Sequence, residues 1–292
     1  MLLMIVRFPA FAIQNKIIKD DMGFNFILSS PPQRIISLAP NITEILFALD
    51  LDERVVGVTR YCDFPEEAIN KEKIGGMIDP NIEKIKSLNP DLVVAFRGNS
   101  LRILKRLREI NVPVFVLEMG TNIESVFQII EKIGAVTSKK DTSERLIKSL
   151  KERYVNITTV LQDVHYKPKV FISLHGKGLW TCGKESFLND LISKAKGINI
   201  AGEIKRRWIL YNREELIHAN PEIIIILSKS QKEYNQTRRW IKKESYLEST
   251  RSVANDKIYF LDQNITTRPG PRIIDALECL ARILHPHCFQ EE

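Results

Sequence analysis

One stretch of this chain is written twice. Asn81-Ile-Glu-Lys-Ile-Lys-Ser-Leu-Asn-Pro-Asp-Leu-Val-Val-Ala-Phe96 recurs without a gap as Asn212-Arg-Glu-Glu-Leu-Ile-His-Ala-Asn-Pro-Glu-Ile-Ile-Ile-Ile-Leu227. Asn81/Asn212, Glu83/Glu214, Asn89/Asn220, Pro90/Pro221 and Asp91/Glu222 fall in register. Each copy reads as a capped helix, a stop forced by Pro, and an apolar run suited to a buried parallel strand. Two copies so far apart make no solenoid. They predict two similar α/β lobes, and the cleft between two lobes is a default place for a ligand.

The 292 residues, 44% hydrophobic and 27% charged, are enough for two cores of ordinary size. No segment approaches the ~20 apolar residues of a membrane span. The net charge of +7 reads as a solvated basic exterior, and with no RNA or DNA motif beside it no nucleic-acid partner is expected. Cys62, Cys182, Cys279 and Cys288 form no C-x-x-C and match no zinc spacing. Bridges Cys182–Cys279 and Cys279–Cys288 stand beside free, partly buried thiols as readings. Residues 1–12 are apolar but interrupted by Arg7, with no basic start and no nearby Cys for lipid attachment. Either the true leader is missing from this reading frame or these residues form a first strand.

The residue pattern predicts a leading hairpin (13–18 and 24–28, with a turn at 20–23), then a strand at 34–38. Asn41-Ile-Thr-Glu44 has the form of a helix start, Asn41 as cap with a carboxylate three residues on. A strand at 54–59, a helix at 123–133 ending near Gly134, and a helix near 240–247 follow from similar signals. From 139 to 162 there is no Gly or Pro, and Leu146, Leu150, Tyr154, Ile157 and Leu161 make one apolar stripe. That is one stiff helix between the lobes. The expected architecture is α/β: two Rossmann-like lobes joined by one long backbone helix, with the ligand cleft between them. The first lobe with its hairpin spans 13–138 and the linking helix 139–163. The second lobe spans 168–286, its last helix returning toward the first.

Six motifs then resemble one known family. They are Arg34-Ile-Ile-Ser-Leu-Ala-Pro-Asn-Ile-Thr-Glu-Ile-Leu-Phe-Ala-Leu49, Gly57-Val-Thr-Arg-Tyr-Cys-Asp-Phe-Pro65, Lys73-Ile-Gly-Gly76, Asn89-Pro-Asp-Leu-Val-Val-Ala95, Gly183-Lys-Glu-Ser-Phe187 and Arg268-Pro-Gly-Pro-Arg272. They resemble, over about 13–286, the substrate-binding proteins of ABC importers for cobalamin, haem and ferric siderophores. Tyr61-Cys-Asp-Phe-Pro65, Phe96-Arg-Gly98 and Arg207-Trp208 are most similar to the cobalamin branch. Phe96 stands where that branch commonly has Trp, and 263–267 carries no carboxylate or Trp. The resemblance implies a non-enzymatic, monomeric receptor without a cofactor. It would work outside the cytoplasm, capture cobalamin or another metal chelate, and deliver it to a dimeric ABC permease with its ATPase. A haem or ferric-siderophore receptor is the alternative within the class, and a cytoplasmic chelatase-like enzyme the alternative outside it.

Tyr61, Phe96, Trp180 and Trp208 are the expected aromatic walls, Phe96 at a strand's carboxyl end and the others in loops. Phe96 and Trp180 read equally well as core. Arg60, Arg97, Arg206, Arg207 and Arg268 could meet anionic groups of a ligand or stay solvated. Glu83 and Glu214 occupy equivalent places in the two repeats. A carboxylate in a helix's first turn favours the helix end by ~0.3–1 kcal/mol, but this does not explain why both copies keep it. The resemblance implies that the pair docks on arginines of the permease. His175 reads as a hydrogen-bonded structural residue, and the tail His285-Pro-His287-Cys288, which has the look of a metal tail, reads as a chance pattern at a frayed C-terminus. Asp63 and Glu118 look isolated, and there is no G-x-S-x-G, H-E-x-x-H, P-loop or G-x-G-x-x-G.

Overall fold

The computed structural model describes residues 16–289. The readings for residues 1–15 lie outside that range. The first half begins with the strands β1 (Lys16–Lys19) and β2 (Asn25–Leu28). It continues through β3 (Ile35–Ser37), α1 (Pro40–Ala48), β4 (Val55–Val58), α2 (Ile82–Ser87), β5 (Leu92–Phe96), α3 (Leu101–Glu109), β6 (Val114–Leu117) and α4 (Ile123–Val136). Next come α5 (Lys140–Val160), β7 (Lys169–Leu174), β8 (Trp180–Cys182), α6 (Phe187–Lys194), β9 (Ile198–Asn199), β10 (Trp208–Leu210), α7 (Arg213–Ala219) and β11 (Ile223–Ser228). The second half closes with α8 (Gln231–Lys243), α9 (Arg251–Ala254), β12 (Ile258–Asp262), α10 (Gln263–Thr267) and α11 (Ile273–Leu284).

The duplication shows in the sheets. One four-stranded sheet runs β4-β3-β5-β6 and the other β9-β7-β11-β12, every neighbour parallel. Counting only the strands of each sheet in chain order, both orders are second-first-third-fourth. The repeated residues do the same work in each copy. Asn81 caps α2 by accepting from Lys84 N at 2.9 Å, and Asn212 caps α7 by accepting from Glu214 N at 2.7 Å. Asn89 and Asn220 both lie in the left-handed region, at φ 44° and 47°, a conformation Asn tolerates better than most side chains. The stop is therefore made by Asn, with Pro after it, rather than by Pro alone. Asp91 accepts from Gln33 N and Arg34 N at 2.6 and 2.8 Å, and Glu222 accepts from Lys169 N at 3.2 Å. Each carboxylate pins the neighbouring strand as it enters the sheet.

The apolar stripe of α5 is buried as its spacing demands, with Leu150, Ile157 and Leu161 all shielded from solvent. At ~1.5 Å per residue its 21 residues span about 31 Å. One continuous cluster of buried side chains links β3, β5, α1 and α4 through α5 to β7, β11, α6 and α11. The outer faces of the two sheets have separate cores. The antiparallel β1–β2 hairpin covers the free edge of β6, where buried Asp20 accepts from Val116 N at 3.2 Å and pairs with Arg108.

Four expectations need correction. Gly134 does not end α4 but lies inside it, where a Cβ would fall 2.2 Å from Ser143 Oγ. The glycine lets α5 approach closely. Asn41 does not cap α1, which starts at Pro40. Its amide donates to Pro269 O at 3.2 Å instead, and Glu44 is claimed by arginines, so tertiary contacts override the capping pattern. Helix α8 starts at Gln231, because Ser230 caps it by accepting from Glu233 N at 3.3 Å. Trp180 and Trp208 are not in loops but on the two-stranded antiparallel ribbon of β8 and β10.

Candidate functional site

In open parallel sheets the binding crevice lies beyond the strands' carboxyl ends, where the strand order reverses. Here the reversals fall at β3/β5 and at β7/β11. A cavity of about 230 Å³ opens there between the halves. Ala39 and Pro40, just beyond β3, and Phe96, at the end of β5, supply one wall. Lys229, just beyond β11, with Gln263, Asn264 and Thr267 of α10, supplies the other. Tyr61, Met77, Met119 and Arg268 complete it. Larger hollows of about 570 and 540 Å³ lie along α4/α5 and beside the hairpin, away from both reversals.

Tyr61, Phe96 and Arg268 thus meet at one cavity. Tyr61 sits in the turn after β4, half exposed. Phe96 is largely buried and both lines the cavity and joins the core. Its ring has room because residue 98 is glycine: a Cβ there would lie 2.1 Å from Phe96 Cε2. Asn99, which belongs to no motif in the sequence, organises this corner. It is buried, accepts from Phe96 N at 2.9 Å, and donates to Leu38 O and Met77 O at 3.0 and 2.7 Å.

Arg97, Trp180, Arg207 and Trp208 do not line the cavity. Arg97 pairs with Glu118. The Arg207 guanidinium reaches from the second half to the sulfur of Met119, on the cavity wall. Cross-strand register pairs Trp180 with Leu210 and Trp208 with Cys182, so both tryptophans share one face of the ribbon. That face runs from buried Cys182 to an exposed tip at Trp180 and Leu210.

Asp63 and Glu118, which looked isolated in sequence, are both paired. Arg268 binds Asp63 through both nitrogens and approaches Glu44 at 3.5 Å. Arg272 holds Glu44 in a fork, Nε to Oε2 at 2.9 Å and Nη2 to Oε1 at 2.6 Å. Glu44 is 3% exposed. Burial pushes its carboxyl above the usual carboxylate range in spite of both guanidiniums. The hydrogen bond from Arg268 holds the more exposed Asp63 below that range. Arg60 is likewise engaged, with Asp79 at 2.5 Å.

Glu83 and Glu214 are exposed in the first turns of α2 and α7, and neither makes an ion pair among the described residues. Each helix turns back through Asn-Pro into its strand, which directs its N-terminus toward that strand's carboxyl end and so toward the cleft. The cysteines are free among the described residues. Burial pushes the Cys182 thiol up to about 12. His285 is buried, its Nε2 3.3 Å from Lys196 O. Among the described residues no cluster of three acidic, His or Cys side chains could hold a metal, and no helix is long and apolar enough to cross a membrane.

Comparison with known proteins agrees with this architecture. An uncharacterized ABC transporter substrate-binding lipoprotein of Bacillus subtilis (strain 168), YvrC, is 29% identical over 282 residues, 94% of this chain and 87% of the relative. A vitamin B12-binding protein of Vibrio cholerae is 27% identical over 250 residues, 85% of this chain and 87% of that protein. The solved apo structure of the periplasmic heme-binding protein RhuT from Roseiflexus sp. RS-1 superposes with a TM-score of 0.79 at 25% identity, over 88% of this chain and 99% of that one. These likenesses set aside a chelatase-like enzyme. The family model described as periplasmic binding protein matches residues 35–265, which takes in both four-stranded sheets and most of the cavity wall, and the chain belongs to that family.

Proposed function

We propose that this chain is the receptor of an ABC importer, working outside the cytoplasm. It captures a corrinoid such as cobalamin between its lobes and delivers it to a dimeric permease with its ATPase. The observation that carries the choice of ligand is the chemistry of the cavity wall. Asn41, Gln263, Asn264 and Thr267 offer neutral amides and a hydroxyl, and of the two cations on the wall Arg268 is already matched by Asp63 and Glu44, which leaves Lys229 alone without an ion pair among the described residues. Gln263 Oε1 is buried without a hydrogen-bond partner among the described residues, an unmet acceptor that a small side-chain rotation would offer to a ligand N–H. A corrin carries neutral amides around its rim, whereas haem carries carboxylates that call for unpaired cations. Tyr61 and Phe96 supply rigid apolar walls for a flat macrocycle. The cavity is smaller than the roughly 300–1,000 Å³ of drug-sized sites, so such a ligand lies partly in the mouth, beside Tyr61. Trp180, Trp208, Arg97 and Arg207 belong to the rim in this reading.

Haem is the second reading. Lys229 on the wall and Arg207 beside it form no ion pair among the described residues, and two free cations suit propionates. Absorbance titration of the purified protein with cyanocobalamin, haemin and a ferric siderophore separates the readings. Saturation at one cyanocobalamin per chain is expected. Saturation by haemin with no response to cyanocobalamin overturns the corrinoid assignment.

A further inference from the structure

Tyr61 is nearly half exposed, and the contact on its ring is the guanidinium of its own chain neighbour Arg60, 5.5 Å from the ring centre. Its place is therefore set by its backbone, and that backbone is gripped along 61–64. Tyr61 O accepts from Arg268 Nη2 at 3.4 Å. Cys62 is buried, its sulfur 3.1 Å from the hydroxyls of both Thr43 and Thr59, and its carbonyl accepts from Lys73 Nζ at 3.1 Å. The carboxylate of Asp63 takes the Arg268 fork, and the guanidinium of Arg272 lies 3.7 Å from the centre of the Phe64 ring. Both arginines come from the far end of the chain, between α10 and α11, and both converge on Glu44.

We propose that Arg268 and Asp63 are a positioning pair: together they fix the Tyr61 turn as a preformed wall of the ligand cleft, and Arg268 acts on the ligand through Tyr61. This rests on the reading of Tyr61 as a ligand wall. An arginine whose side chain is 11% exposed and whose nitrogens are taken by Asp63, Glu44 and Tyr61 O has little left for a ligand. A rigid platform spares the ordering cost that a mobile aromatic loop would incur on binding. The wall of the first lobe is thus set by residues that follow the second sheet, which couples the shape of the site to the seating of one lobe on the other.

Asp63→Asn tests this, because it keeps the side chain's size and leaves Glu44 to hold both arginines. Without ligand, amide exchange at 61–64 is expected to quicken at least about tenfold, the loss of one charge-assisted bond, while β5 and β11 keep their protection. Cyanocobalamin affinity is expected to fall by about the same factor, as it does in Tyr61→Ala, and the double variant loses no more than Tyr61→Ala alone. Arg268→Lys, which cannot reproduce the fork, gives the same pattern. Unchanged exchange at 61–64 in Asp63→Asn overturns the proposal. So do losses in Arg268→Lys and Tyr61→Ala that multiply, because these place Arg268 directly on the ligand. If the unaltered protein refuses cyanocobalamin, the corrinoid reading fails and the exchange result alone decides this one.

Discussion

Single side chains decide what the cleft can hold. Gly98 is the sharpest case, since a Cβ would press on Phe96 at 2.1 Å and on Met119 Cε at 3.0 Å. Gly98→Ala is expected to cost roughly 1–3 kcal/mol of stability through overpacking. It should also weaken ligand binding, because the displaced ring is part of the wall. A lowered melting temperature with unchanged affinity in calorimetry would leave Phe96 as core alone. The paired carboxylates predict the acid limb of binding. The folded pKa of Asp63 is depressed by Arg268. Its grip is therefore complete above the usual carboxylate value and fades only as pH falls through the depressed one. Glu44 is raised by burial, so it takes its proton first, and that protonation favours the folded state as pH falls. Affinity measured down through the carboxylate range should drop late, and the drop should vanish in Asp63→Asn. A limb that survives the substitution belongs to another group.

Among the elements, the repeat carried most of what could be read in advance. Two caps and two αL asparagines recur because each serves a local rule that needs no partner from elsewhere, and the two strand-pinning acids recur with them although their partners lie more than fifty residues away. Helix α5 was legible for the same reason, through the spacing of Leu146, Leu150, Tyr154, Ile157 and Leu161. What escaped was long-range. Glu44 looked like part of a helix start and is the anchor for Arg268 and Arg272, more than two hundred residues away. The ribbon of β8 and β10 has only three residues per strand, and pairing across that distance leaves no periodic signal. Asn99 carries no motif at all. Of the expected walls, Tyr61 and Phe96 met at the cavity because Phe96 ends a sheet strand and Tyr61 lies just beyond one, the strongest placement rule available. The local rules can be tested as a pair. Asn81→Ala and Asn212→Ala each remove one cap and should each cost about 1 kcal/mol. The caps serve different sheets, so the double variant should cost their sum in urea unfolding. A clearly smaller sum would mean that the two caps share partners.

At the scale of the molecule, two symmetric features invite a symmetric partner. Glu83 and Glu214 stand exposed at matching helix starts, without ion pairs among the described residues. Charged rim contacts act mainly on encounter rate and orientation. Reversing both to Lys should therefore abolish uptake through the permease while cyanocobalamin affinity stays as it was; uptake at the unaltered rate would remove the pair from the docking surface. How far the lobes move on binding follows from what joins them. The buried cluster is continuous from one sheet to the other. Arg153 on α5 bonds Asp275 on α11 at 2.7 Å, and Asp190 on α6 accepts from Ile123 N at the start of α4 at 3.1 Å. Wide hinge opening would expose that cluster and strand the Glu44 carboxylate, and breaking a buried pair of this kind costs about 3–5 kcal/mol. Ligand binding has no comparable reward for large closure when the walls are already formed. Small-angle scattering should therefore give a radius of gyration near about 19 Å, unchanged by saturating cyanocobalamin. A clear compaction would show that the shared core parts in solution, and that the cleft's shape is made by the ligand rather than offered to it.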